Sequence, residues 1–217
     1  MKHGDLIWGL VFLGITAFLI IPSTHEVFVA TTNAHPYFMG FVKFAVMASM
    51  GELLALRLIS GKWNKTSGMQ YKAIIWGIVG MLIVLMFTVF SGGVAAAEKA
   101  GLLYKFDGVL GTVLDAIYIS VIINLTFGPM FMAAHRISDT YIDLRAEGQK
   151  TSVADVVSKT DWQGFIKFVI RKTIPYFWIP AHTITFLLPA QYRVLWAAYL
   201  SIALGIILSY ARRKKVQ

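Results

Sequence analysis

Six polar side chains stand inside otherwise apolar runs of this sequence: Lys43, Glu52, Asp115, Asn124, His182 and Thr185. Burying a charge in hydrocarbon costs about 2.5–3.5 kcal/mol even on the lenient insertion scale, so such residues either line a polar cavity or pair across helices. Four prolines accompany them, Pro129, Pro175, Pro180 and Pro189. Each removes a backbone donor and frees a carbonyl, which at membrane depth is tolerated only beside a cavity or a polar neighbour. The chemistry on offer is the recognition of a polar solute, with Glu52 as the expected neighbour of His182 across the bundle.

Spacing divides these residues between faces. At about 100° per residue, Lys43 and Arg57 share one helical face with Met47, Met50 and Leu54. Glu52 points the other way, among Ala45, Ala48, Ser49 and Ala55, so its partner must come from another helix. Asn124, Gly128, Phe131 and His135 share a face in an unbroken helix, with Asp115 turned away. The Leu125 carbonyl that Pro129 frees is expected to be served by Asn124 or Thr126 of a neighbouring turn, a water or another helix. The five histidines lack the i, i+4 pairing of a metal or haem site, and cysteine is absent, which excludes disulfides and thiolate chemistry. No cofactor is expected. Nucleophile-elbow and phosphate-loop motifs are also missing.

The elements that must position these groups are set by composition. Of 217 residues 57% are hydrophobic and 14% charged, against about 25% charged in a globular domain, and mean hydropathy is +0.66. The surface must face lipid. The net charge of +9 lies in loops rather than on a folded basic face, so nucleic acid is not a partner. Six segments reach the length of a membrane span: about 5–22, 36–60, 71–97, 108–134, 173–190 and 191–211. The first ends in Pro22-Ser23-Thr24-His25-Glu26 without a small-x-small cleavage site, so it reads as a span rather than a signal peptide. All 20 basic residues except Lys43, Lys99, Lys105 and Arg193 then fall on the side of the N-terminus. The positive-inside rule places both termini in the cytoplasm. This topology argues against modification of Asn64-Lys65-Thr66 and Asn124-Leu125-Thr126, and it reads Lys214-Lys215 as a basic flank to the last span.

The expected fold is all-α, a single transmembrane domain over 1–217. Gly77, Gly80, Gly92 and Gly93 of the third span are expected to pack against neighbouring helices. Before span five, about 152–172 reads as an amphipathic interfacial helix, with Ser152 and Asp155 capping it and Lys159, Lys167, Arg171 and Lys172 near anionic headgroups.

Short motifs carry a family resemblance. Ala34-His35-Pro36 opens the second segment and leads to Gly51-Glu52; Asn124 precedes Phe127-Gly128-Pro129. Trp178, His182, Thr185 and Phe186 lead into Pro189-Ala190-Gln191-Tyr192-Arg193, and Leu208-Ser209 closes the last segment. Over about residues 34–212 the chain resembles the twenty-two-kilodalton peroxisomal membrane protein family, which includes a mitochondrial inner-membrane channel protein. Departures are His182 for Gln, Thr185 for Asn, Glu52 for Asp, Leu204-Gly205 in place of a Trp-Asn, and an extra first span. The resemblance implies a pore or small-metabolite channel in an inner or organelle membrane. The residues themselves favour a channel or transporter for small polar solutes, with inward basic charge drawing anions to the cytoplasmic mouth. They leave open an intramembrane enzyme acting on lipid through Glu52, His182 and Asp115, a purely structural membrane protein, and a homo-oligomer.

Overall fold

A computed structural model describes residues 3–63 and 68–213, apart from the side chains of 208 and 210–213. Lys2, the Asn64-Lys65-Thr66 acceptor and Lys214-Lys215 lie outside the described residues. The elements run α1 (His3–Ile20), α2 (Pro22–Ala34), α3 (Pro36–Ser60), α4 (Met69–Lys99), α5 (Gly108–Leu125), α6 (Phe127–Ala146), α7 (Val153–Lys159) and α8 (Trp162–Gly164). A wide helical segment (Phe165–Trp178), α9 (Ile179–Leu187) and α10 (Ala190–Arg213) follow. No strand occurs among the described residues. Five helices, α1, α3, α4, α5 and α10, are long and apolar enough to cross a membrane.

Local chemistry explains the boundaries. Pro22 and Pro36 open α2 and α3, where the missing N–H costs nothing. The Phe18 carbonyl that Pro22 leaves without its helical donor accepts the Thr24 hydroxyl at 2.6 Å. The turn between the first two long helices is thus itself helical. Gly61 ends α3 in the left-handed region (φ 69°) and donates to the Arg57 carbonyl, a conformation that suits a residue without Cβ.

Two expected elements differ. The fourth segment, 108–134, is not one span: the chain breaks at Thr126 and continues as α6. Of the partners expected for the Leu125 carbonyl, the two side chains serve other groups: Asn124 donates to the Ser120 carbonyl and Thr126 to the Ile122 carbonyl. The 152–172 helix is also broken. Ser152 and Asp155 do form a reciprocal capping box on α7, but α7 ends where the buried Thr160 hydroxyl turns back to the Val156 carbonyl. Asp161 then caps α8 by accepting from the Gly164 N–H at 2.8 Å. From Phe165 the wide helix carries Pro175 within it and runs directly into α9, with the Ile179 N–H donating five residues back to Ile174. Pro180 sits in the first turn of α9 and Pro189 separates α9 from α10.

The core joins Phe44, Met47 and Met50 of α3, Val79, Ile83 and Phe87 of α4, Ile119 and Ile123 of α5, Phe186 of α9 and Ala197, Ala198 and Ile202 of α10. Close approach rests on small residues: a Cβ on Gly80 would strike the Gly40 carbonyl, and one on Gly51 would press on the Ser201 and Ile202 backbone. Gly77 abuts Phe41 in the same way. A Cβ added to Gly92 or Gly93 would meet nothing within 4 Å, so the packing expected of them is absent. One end of the bundle, the termini face, holds the start of α1 and the ends of α3 and α10: Arg57 of α3 pairs with Asp5 of α1 at 2.7 Å, and Ser209 of α10 donates to the Ala55 carbonyl of α3. The opposite, distal face holds the α2–α3 and α9–α10 turns.

Candidate functional site

The polar residues expected to share one cavity fall into separate groups along the bundle. At the distal face, Lys43 is buried on α3 at 5% exposure. It donates to Thr32 Oγ1 of α2 at 3.0 Å and lies 4.6 Å from the Phe28 ring centre. It lines a cavity of about 510 Å³ with Thr32, Asn33, Phe87, Thr88, Ser91, Gln191 and Arg193. Arg193 donates to the Leu188 and Phe186 carbonyls at the end of α9, at 2.9 and 3.1 Å. Neither Lys43 nor Arg193 forms an ion pair with a carboxylate among the described residues, and no acidic residue lines the cavity. Pro36 and Ala190, the first residues of α3 and α10, also line it. Two cations therefore bear on one space, bordered by the first residues of α3 and α10 and, with opposite dipole sign, by Thr32 and Asn33 in the last turn of α2. Ser91 Oγ is buried there without a protein partner.

Mid-bundle, His182 Nδ1 lies 2.9 Å from Asn124 Nδ2 and 3.1 Å from Asn124 Oδ1. One of the two contacts is a hydrogen bond, with the amide orientation and the imidazole tautomer chosen together. The ring stacks on Trp178 and meets the edge of Phe87. Ser120 ties the same layer by donating to the Ile179 carbonyl at 2.7 Å. Thr185 is fully buried and donates to the Ala181 carbonyl in its own helix at 2.9 Å, so it presents nothing to a cavity. Asp115 lies beside Glu98, near the distal end of α4.

Glu52 is not the neighbour of His182. Its partner is Lys72 of α4, at 3.2 Å, which also meets Asp143 of α6 at 2.9 Å. The reason is register: Glu52 lies two turns from the end of α3, opposite the first turn of α4, whereas His182 lies against Phe87 four turns further along α4. The interhelical partner demanded by the outward face of Glu52 is thus present, from a helix that Gly40 and Gly80 bring close. Beside it, His135 Nδ1 and Asp139 Oδ2 are 3.4 Å apart on α6, and His135 packs on Trp76.

Sequence reasoning passed over Lys72, Arg193, Asp139 and Asp143. His135, Asp139 and Asp143 recur every fourth residue, which puts them on one helical face. That signal was present but lay in a stretch read as a connection.

These features define a helical bundle compatible with a membrane, carrying a cation-lined cavity at one end and an ion-pair cluster at the other. No family model, curated protein or solved structure gives a significant match to the chain.

Proposed function

We propose that this chain is an integral membrane transporter or channel for small anionic solutes, which enter by the distal cavity. The observation that carries this reading is the placing of Lys43 and Arg193 together in a cavity free of carboxylates. About 510 Å³ accommodates a small metabolite. Five long apolar helices support it; in this reading the wide helix and α9 serve as a further, fifth crossing, which gives six spans with both termini in the cytoplasm. In that orientation the cavity opens away from the cytoplasm, and the anion preference resides there rather than at the cytoplasmic mouth. The resemblance of short motifs to the peroxisomal membrane protein family points the same way and to an inner or organelle membrane.

Between the cavity and the termini face, α4 contributes Val79 and Ile83 to the core cluster that contains Phe44 and Met47. Lys72 and Ser91 are 19 residues apart on α4, about 28 Å, close to a bilayer's hydrocarbon thickness. An apolar plug between two polar ends suits a carrier that opens alternately to each side. An enzyme acting on lipid would need Glu52, Asp115 and His182 together; each engages different neighbours.

The test is reconstitution of the purified protein in liposomes under a salt gradient. Anion-selective permeation, weakened at least tenfold in Lys43→Glu, is the expected result. Permeation equal to that of empty liposomes would refute transport and leave a structural role.

A further inference from the structure

The cluster at the termini face contains more carboxylates than cations to match them. Glu52, Asp139 and Asp143 surround one ammonium, and Lys72 spends its contacts on Glu52 and Asp143. The next cation on α6, Arg136, turns to Asp161 at 3.6 Å. Asp139 is left facing His135, whose ring is enclosed by Trp76 of α4 and Phe131 of α6. Asp139 Oδ1 and His135 Nε2 are both buried with no hydrogen-bond partner. The Asp139 side chain is 31% exposed, but its buried, unserved Oδ1 is costly for a carboxylate, and a proton relieves that cost. Placed on Asp139, the proton is donated toward His135 Nδ1, and the 3.4 Å separation closes into a hydrogen bond between neutral groups.

We infer that Asp139 and His135 form a proton-binding site that governs the Lys72 brace between α3, α4 and α6, making the protein a proton-coupled carrier rather than a passive pore. The coupling half rests on the transport reading above; the site itself does not. When Asp139 loses its proton to water at the termini face, a third carboxylate competes for Lys72. The ammonium is then shared among three carboxylates, which weakens its hold on Glu52 and Asp143 and with it the tie between α3, α4 and α6. Proton release therefore loosens the end of the bundle opposite the anion cavity, the step that lets it open. Burial and Asp143 hold the Asp139 carboxyl up to about 6, against the pull of Lys72 and Arg136, which places the exchange within a physiological range.

The deciding experiment is infrared titration of the full-length protein in detergent micelles between about pH 5 and pH 7.5. A protonated-carboxyl stretch with a midpoint near pH 6 is expected, absent in Asp139→Asn and retained in Asp115→Asn. His135→Ala should move the midpoint, and Asp139→Glu should restore a titrating band if Asp139→Asn folds poorly. No titrating carboxyl in the wild type, or a band that survives Asp139→Asn, overturns the site. In liposomes loaded with a pH dye, inward phosphate movement should carry protons in the wild type and lose that coupling in Asp139→Asn. Phosphate entry without proton movement overturns the coupling. Absence of any phosphate entry tells against phosphate transport, and the infrared result then decides the proton site alone.

Discussion

Lys72→Met is expected to destabilise the folded protein by about 3 kcal/mol at neutral pH. The Lys72 side chain is only 7% exposed, and its ammonium lies 3.2 Å from Glu52 and 2.9 Å from Asp143. Removing one partner of a buried pair costs about 3–5 kcal/mol, because the remaining charge is stranded. The two carboxylates differ in how far they are stranded. Asp143 is 55% exposed and regains water, whereas Glu52 is 24% exposed. The loss should therefore come mainly from Glu52 and sit at the lower end of that range. Neutralising the stranded group tests this directly: Lys72→Met with Glu52→Gln should recover about half the loss or more. Unfolding by denaturant in mixed micelles, followed by tryptophan fluorescence, measures all three proteins against the wild type. A Lys72→Met protein within about 0.5 kcal/mol of the wild type would refute the argument, as would single effects that simply add in the double variant.

Other expectations follow from particular contacts. Gly80→Ala forces α4 away from the Gly40 carbonyl and should cost about 1–3 kcal/mol, whereas Gly93→Ala, with open space around it, should be neutral or stabilise by about 0.4–1 kcal/mol; thermal unfolding of the two separates packing from propensity. Asn124→Ala strands His182 Nδ1 in the bundle and should cost about 1–3 kcal/mol, with a double-mutant cycle against His182→Ala showing the coupling. The Asp155 carboxyl is held below its ordinary value by the Ser152 N–H and hydroxyl. Its contribution is present above the unfolded carboxylate value of about 3.9 and is lost as pH falls through the lower folded one. Nuclear magnetic resonance titration should show that depressed midpoint, and Ser152→Ala should raise it. For Asp139 the sign is reversed, since its folded value is the higher one. Stability falls as pH rises from about 4 to about 6, and Asp139→Asn should flatten that slope in unfolding measured across the range.

Much of the fold was legible because lipid imposes a simple rule on sequence. A segment that crosses hydrocarbon must satisfy its own backbone and show apolar side chains, so long apolar helices announce themselves in order. The capping box at Ser152 and Asp155 was legible for a similar reason, since both partners lie within four residues. What was not legible depended on competition between neighbours. Pro129 marks a break in the helix, and the break falls within a turn of it, at Thr126; that it becomes a full end, with the Thr126 hydroxyl turned back to Ile122, was not legible. Gly77 and Gly80 look no different in sequence from Gly92 and Gly93, and only the approach of α3 distinguishes them.

The candidate site divides along the same line. Sequence by itself determined that Lys43, Glu52, Asn124 and His182 each need a polar partner, because an ionisable or amide group in an apolar helix cannot go unserved. It also determined that Glu52 looks away from Lys43, since helical periodicity is local. Tertiary structure alone decided who the partners are. Helix register set Glu52 against Lys72 instead of His182, and gave His182 to Asn124. The parallel packing of α3 and α10 brought Lys43 and Arg193, 150 residues apart in the chain, to one cavity. Spacing along a chain specifies which face a side chain occupies, but the depth at which two helices meet is set by packing over their whole length.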